Sequence, residues 1–191
     1  MTGMTFKRIK NRFIAFLNAC GGAAAVEFAL ILPFMLTLYV GSNEASQLYI
    51  VDRRVTTVSG VVGDLVARSR NAISNTELQN YFAAANAIMR PYATAGLKQV
   101  VTLVEVSSTG TTKVIWSCGY NGGVRKTANA TYPLPAEMIA ISKGQYVVVS
   151  SASYSYLPLY GMVFKTAINM YHENFYSPRF DAQIASPGCT S

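Results

Sequence analysis

Few residues in this chain are suited to chemistry, and their types limit what that chemistry is. A single histidine, His172, stands among nine acidic residues and three cysteines. A metal site built from several imidazoles is excluded, and a histidine-dependent nucleophile must use His172 as its base. A pair of His172 with Cys118 or Cys189 is the one arrangement of that kind open to it. No nucleophile elbow, phosphate-binding glycine pattern or carboxylate dyad accompanies it. The expectation is therefore no catalytic residue, no metal and no cofactor, with His172 at the surface or partly packed. Asn129-Ala130-Thr131 is a formal glycosylation sequon, which means little if the source is bacterial.

Glu27 is the acid whose position calls for a reason. It lies inside Ala23–Gly41, AAAVEFALILPFMLTLYVG, a run that as a helix rises about 28 Å, close to a bilayer's hydrocarbon thickness. Phe28, Leu30, Pro33 and Phe34 belong to this transmembrane segment. A carboxylate within a spanning helix costs a few kcal/mol on insertion scales and marks a functional position, unless it snorkels from shallow depth or is protonated. Four of the sixteen basic residues, Lys7, Arg8, Lys10 and Arg12, precede Gly22 and no acid does, whereas Glu44 and Asp52 follow the run. That asymmetry keeps the N-terminus cytoplasmic and puts everything after about residue 42 outside the cytoplasm.

The remaining basic residues are single or in pairs such as Arg53-Arg54 and Arg125-Lys126. The net charge of +7 therefore forms no stripe that tracks phosphates, and no nucleic-acid partner is expected. Hydrophobic residues make up 51% and charged residues 13% of the chain, which excludes disorder, collagen and an acidic tail. A cleaved secretory signal shares the basic start, but its short apolar region carries no acid near its beginning. A lipoprotein signal through Leu17-Asn18-Ala19-Cys20 has only Phe13 to Leu17 as its apolar stretch.

Gly22 stands five positions before Glu27, at the junction of the basic leader and the apolar run. This arrangement resembles the type IV prepilin signal, and GGAAAVEFALILPFML resembles most closely the TadE-like family, minor pseudopilins of the tight-adherence (Tad/Flp) pilus system. Pro33 falls where that pattern has its proline. Tyr154-Ser155-Tyr156-Leu157-Pro158-Leu159 resembles a YxYxP element of the family, and Tyr176-Ser177-Pro178-Arg179 resembles a terminal Y-x-P-R element. The resemblance implies cleavage between Gly22 and Ala23 by an inner-membrane prepilin peptidase. It also implies assembly with other pilins and pilus assembly proteins, and no small-molecule substrate. Cleavage there removes the four leader charges and exposes an Ala23 ammonium that Glu27 of a neighbouring subunit can neutralise in an apolar filament core. The competing readings are an uncleaved single-pass inner-membrane protein whose periplasmic domain scaffolds an envelope complex, and a membrane-anchored hydrolase that would lose activity on His172→Ala.

The elements that position these residues follow from periodicity. Leu48, Val51, Val55, Val58, Val62 and Leu65 recur at helical spacing, so the spanning helix continues beyond the membrane as an amphipathic one. Its β-branched content demands burial of that seam. Gly60 and Gly63 mark a bend or a close contact, with ordinary packing the blander account. Ser74-Asn75-Thr76-Glu77 fits a capping box that opens a helix of about 75–90, stopped by Pro91. Gln99–Val106 and Lys113–Cys118 read as a hairpin, Tyr120-Asn121-Gly122-Gly123 as a turn, Gln145–Tyr156 as a strand and Met162–Met170 as the last strand. The fold class is α+β, with an antiparallel sheet packed on the helix that emerges from the membrane. The expected organisation is a leader (1–22), a transmembrane helix (23–41), an extracytoplasmic helical region (42–95) and an antiparallel β domain (96–191). Tyr146, Tyr154, Tyr156, Tyr160, Tyr171 and Tyr176 crowd the last third and suit half-buried strands. In an oxidising compartment, with Cys20 lost with the leader, Cys118 and Cys189 are the candidate disulfide, two independent thiols being the alternative.

Overall fold

The computed structural model describes residues 14–15, 22–158, 161–180 and 183–189. Most of the basic leader, including Cys20, lies outside the described residues, as do Leu159 and Tyr160. Helix α1, Ala23–Ala67, continues without interruption from the apolar run into the valine seam. The chain divides into two compact units after Asn43.

In the first unit every residue from Ala23 to Tyr39 is exposed, and an 18-residue window of α1 is apolar and long enough to cross a membrane. Phe28, Leu30, Phe34 and Leu38 are each more than half exposed. Pro33 sits inside the helix and cannot donate to the carbonyl one turn before it, while its own carbonyl accepts from Thr37 Oγ1 at 2.8 Å. A helix whose exposed surface is this largely apolar is suited to lipid or to other helices around it.

The second unit is built on the rest of α1. Val51, Val55, Val58, Val62 and Val66 are fully or almost fully buried, whereas Leu65 is only half-buried, so the seam closes on Val66. Burying a valine side chain contributes about 1.5 kcal/mol or more, against a helix-propensity cost of roughly 0.5 kcal/mol. Packing therefore holds this β-branched stretch helical. Helix α2, Asn75–Asn86, opens with the Ser74 hydroxyl accepting from the Glu77 N–H, and a tighter turn over Ala87–Met89 ends it before Pro91. Leu78, Phe82, Ala85 and Met89 bury its inner face in the same core as the valines.

Among the described residues, β1 (Lys98–Val106), β2 (Thr112–Tyr120), β3 (Gln145–Tyr156) and β4 (Ile168–Tyr176) form one antiparallel sheet in the order β2-β1-β3-β4. One face, with Leu103, Trp116, Val148 and Ala152, joins the core of α1 and α2. The other face buries Val104, Val114, Val147 and Val149 under Tyr132 and Leu134. Trp116 and Val114 face opposite sides although they are two apart, because a bulge at Ile115 shifts the register between Leu103 and Val104. A short helix that the periodicity does not reveal, α3 (Ala136–Ile141), precedes β3.

The last strand corrects the sequence reading. It runs from Ile168 to Tyr176, not from Met162 to Met170, because the backbone N–H groups of Met162, Val163 and Phe164 are bonded to a side chain and not to a neighbouring strand.

The glycines of the helix prove to be a notch. A Cβ at Gly63 would stand 2.6 Å from the Tyr176 ring and 3.0 Å from Ser150 Cβ, and one at Gly60 would stand 3.3 Å from the Tyr176 hydroxyl. Gly63→Ala is therefore expected to destabilise the domain by about 1–3 kcal/mol through overpacking. Gly60→Ala should cost less, and urea unfolding of the full chain in detergent ranks the two.

Candidate functional site

The candidate processing and assembly residues lie at the start of α1. Gly22 immediately precedes Ala23, the first residue of α1, and both are exposed; nothing stands within 4 Å of where a Gly22 side chain would begin. Glu27 is exposed one turn further on, flanked by Val26 and Phe28, which are 61% and 63% exposed. The α-helix places Glu27 and Ala23 on the same face, four residues apart. Phe28, Leu30, Pro33 and Phe34 continue the exposed apolar surface.

A second carboxylate, Glu44, has the opposite setting. It is 2% exposed and accepts three backbone hydrogen bonds from the connection between β3 and β4: from Met162 N at 3.0 Å, Val163 N at 3.0 Å and Phe164 N at 3.2 Å. The Met162 N–H is the largest cause of a Glu44 carboxyl held below its ordinary value of 4.5; burial pushes the other way, and the Val163 and Phe164 donors add to the lowering. In the sequence Glu44 serves only as a flanking charge. The signal that could have singled it out is its helical phase, since it lies seven residues before Val51, on the side of the seam.

The C-terminal elements have structural roles in the domain. Tyr176 fills the Gly60–Gly63 notch, Pro178 is buried, and Arg179 donates to Asp64 Oδ1 at 3.0 Å from its guanidinium and to the Ala67 carbonyl at 2.9 Å from its backbone. The Y-x-P-R element thus fastens the chain to the C-terminal turn of α1, where carbonyls lack helical partners. Arg68 also pairs with Asp64, and this hydrogen bond leads the causes that hold the Asp64 carboxyl below its ordinary range. In the YxYxP element, Tyr154 donates to the Ala93 carbonyl at 2.9 Å and Tyr156 meets Tyr92 edge-on at 5.9 Å.

His172 Nε2 lies 2.6 Å from Asp52 Oδ1, at a groove of about 470 Å³ between α1 and β4 lined by Leu48, Asp52, Ile168 and Met170. Cys118 and Cys189 are bonded to each other, with Cα atoms 5.7 Å apart. Neither sulfur is free to act with His172, and the thiol–imidazole pairing considered from the sequence is not formed. Closing a loop between residues 71 apart is worth about 4 kcal/mol in the chain-entropy model.

These features define a class: among the described residues, one helix is apolar and long enough to cross a membrane, and its later part is the central support of an α+β domain. The family model described as TadE-like protein matches residues 22–60, from the Gly22 junction to the glycine notch. Over that stretch the chain is similar to TadE-like proteins, a family whose role lies in Tad pilus-related assembly. No curated protein and no solved structure matches the chain.

Because the Glu44 carboxyl is depressed in the folded protein, its contribution to stability is complete above the unfolded value near 4.5 and is lost as pH falls through the lower folded value. Glu44→Gln should lower stability at neutral pH, flatten the acid limb of the stability profile below about 4.5 and speed amide exchange at Met162–Phe164. Thermal melts from pH 3 to 7 with hydrogen exchange check this.

Proposed function

We propose that this chain is a minor pilin-like subunit of a Tad/Flp pilus, inserted in the bacterial inner membrane with its N-terminus cytoplasmic and its domain from about residue 42 periplasmic. Prepilin peptidase cuts it between Gly22 and Ala23. The freed helix packs against other pilins, with Glu27 of one subunit neutralising the Ala23 ammonium of another. Its partners are the membrane, the peptidase, other pilins and pilus assembly proteins. Its work is initiation or scaffolding of the pilus at its base or tip, in the service of adhesion, with no catalysis, cofactor, nucleic acid or small-molecule substrate.

The observation that carries this reading is the exposed apolar helix with Glu27 on its first turns, lying within the stretch that matches the TadE-like model. An ionised carboxylate is costly in hydrocarbon, and a positive N-terminus on an adjacent helix is the partner that offsets it. The bond before Ala23 is exposed and has no side chain on its Gly22 side, which suits a protease. Tyr39, 69% exposed near the end of the apolar run, suits a headgroup-level aromatic anchor.

Intact mass and N-terminal sequence of membrane-extracted protein, with and without a co-expressed prepilin peptidase, test the processing step. A peptidase-dependent N-terminus at Ala23 is expected, and a bulky residue at Gly22 should leave the precursor uncut. An intact Met1 under both conditions would favour the uncleaved single-pass scaffold. Glu27→Ala should still be inserted and cut but no longer co-purify with other pilins; unchanged co-purification would remove the charge-pairing step.

A further inference from the structure

The cover on the outer face of the sheet ends part-way along it. Tyr132 and Leu134 close the valine end, and beyond them lies a cleft of about 270 Å³ floored by Val100, Ser151 and Ser153. Lys98 and Lys126 border it, and Tyr171, 58% exposed, stands on its β4 side. In register, Lys98 lies opposite Ser153 and Ser153 opposite Tyr171, one row across three strands roughly 4.8 Å apart.

The walls of this cleft are fixed by the fold. One is the turn after β2, residues 121–124, which the Asn121 amide fastens by donating to the Ala95 and Leu97 carbonyls at 2.9 and 2.8 Å. Gly123 lets that turn lie flat on β1, since a Cβ there would stand 2.3 Å from the Gln99 carbonyl oxygen. Across the cleft, the Tyr171 hydroxyl donates to Glu173 at 3.1 Å, and the Tyr132 hydroxyl donates to the same carboxylate. Glu173 is thus occupied by two tyrosines. Among the described residues neither Lys98 nor Lys126 is in an ion pair, and the Lys126 ammonium lies 5.9 Å from the Tyr132 ring centre.

Two unpaired ammonium groups beside one small cleft attract an anion. Serine hydroxyls both donate and accept, which suits a ligand that carries hydroxyls of its own, and an exposed tyrosine ring offers an apolar face to C–H groups. A peptide strand has no place there, because β1 and β3 are the inner strands and each already pairs on both sides. The volume is below the roughly 300–1,000 Å³ of drug-sized sites, so a single substituted ring fills it where a bare phosphate would not.

We propose that this cleft binds one anionic sugar unit of a polysaccharide, a uronate, with its carboxylate on Lys98 and Lys126, its hydroxyls on Ser151 and Ser153, and its ring against Tyr171. The sugar is held and not converted. The site lies wholly within the unit from Glu44 onwards and is the same whether or not the chain is cut at Gly22.

Equilibrium dialysis of the full chain at low salt, in a detergent without a sugar headgroup, tests this with trigalacturonate against neutral galactotriose, triglutamate and inorganic phosphate. Trigalacturonate is expected to bind more tightly than the other three. Lys98→Ala and Lys126→Ala should each weaken it about tenfold, or roughly 1.4 kcal/mol. Ser153→Ala should weaken trigalacturonate and leave phosphate unchanged, and Lys143→Ala, before β3, should change neither. Equal binding of galactotriose overturns the recognition of charge. Equal binding of triglutamate or phosphate leaves only the attraction of anions to a basic chain and overturns the proposal. Absence of trigalacturonate binding, or binding indifferent to both lysine substitutions, overturns it as well. The Cys118–Cys189 bond, read by gel mobility, verifies that each variant is folded.

Discussion

One helix carries two surfaces, an exposed apolar one from Ala23 to Tyr39 and a buried valine seam from Val51 to Val66, and the folded domain is arranged around the second. From Ala23 to Tyr39 the described residues of α1 are exposed, while its C-terminal part buries five valines in the core. The first part is suited to lipid or other helices; the second is a poor isolated helix that exists because sheet and α2 cover it. The residues that let the cover close are small or polar at set positions. Gly63 admits the Tyr176 ring, Ser59 accepts from Asn174 at 2.6 Å, and Asp64 takes Arg179. The long helix and the last strand are thus fastened to each other along several turns.

Two carboxylates near the two ends of the apolar run are handled in different ways. Glu44 is satisfied inside its own domain by three backbone donors, so it is a structural charge with a partner wherever the molecule sits. Among the described residues no such partner is recorded for Glu27, which stands exposed on an apolar helix. In the proposed pilin its compensation comes from a neighbouring subunit, so that its role there is in assembly and not in folding. The same distinction explains why the C-terminal tyrosine and arginine elements, read as signatures, turn out to be fasteners of the fold.

Much of this was legible in the sequence because it rests on local rules. The apolar run, the Ser74 cap, the hairpin and the strand from Gln145 to Tyr156 all follow from hydropathy, capping and alternation. The last strand was misplaced because Met162, Val163 and Phe164 have the composition of a strand; their N–H groups bond to a residue some 118–120 positions away, which no window registers. The seam ended on Val66 and not Leu65 for a related reason, since spacing alone does not fix which side of a helix the sheet will cover. Gly60 and Gly63 were visible as a pair, but their purpose depends on Tyr176, more than a hundred residues later. The bulge at Ile115, which swaps the faces of Val114 and Trp116, leaves no trace in alternation until the partner strand is known.

The central claim is that residues 23–41 are an assembly surface held in the membrane, distinct from the folded domain that follows. In-cell photo-crosslinking from Ile31, in the host that assembles the pilus, tests it most directly. The account predicts adducts with the N-terminal helices of other pilins and with lipid, dependent on Glu27 for the protein adducts. Adducts confined to the chain's own domain, or to soluble proteins without any pilin, would contradict it.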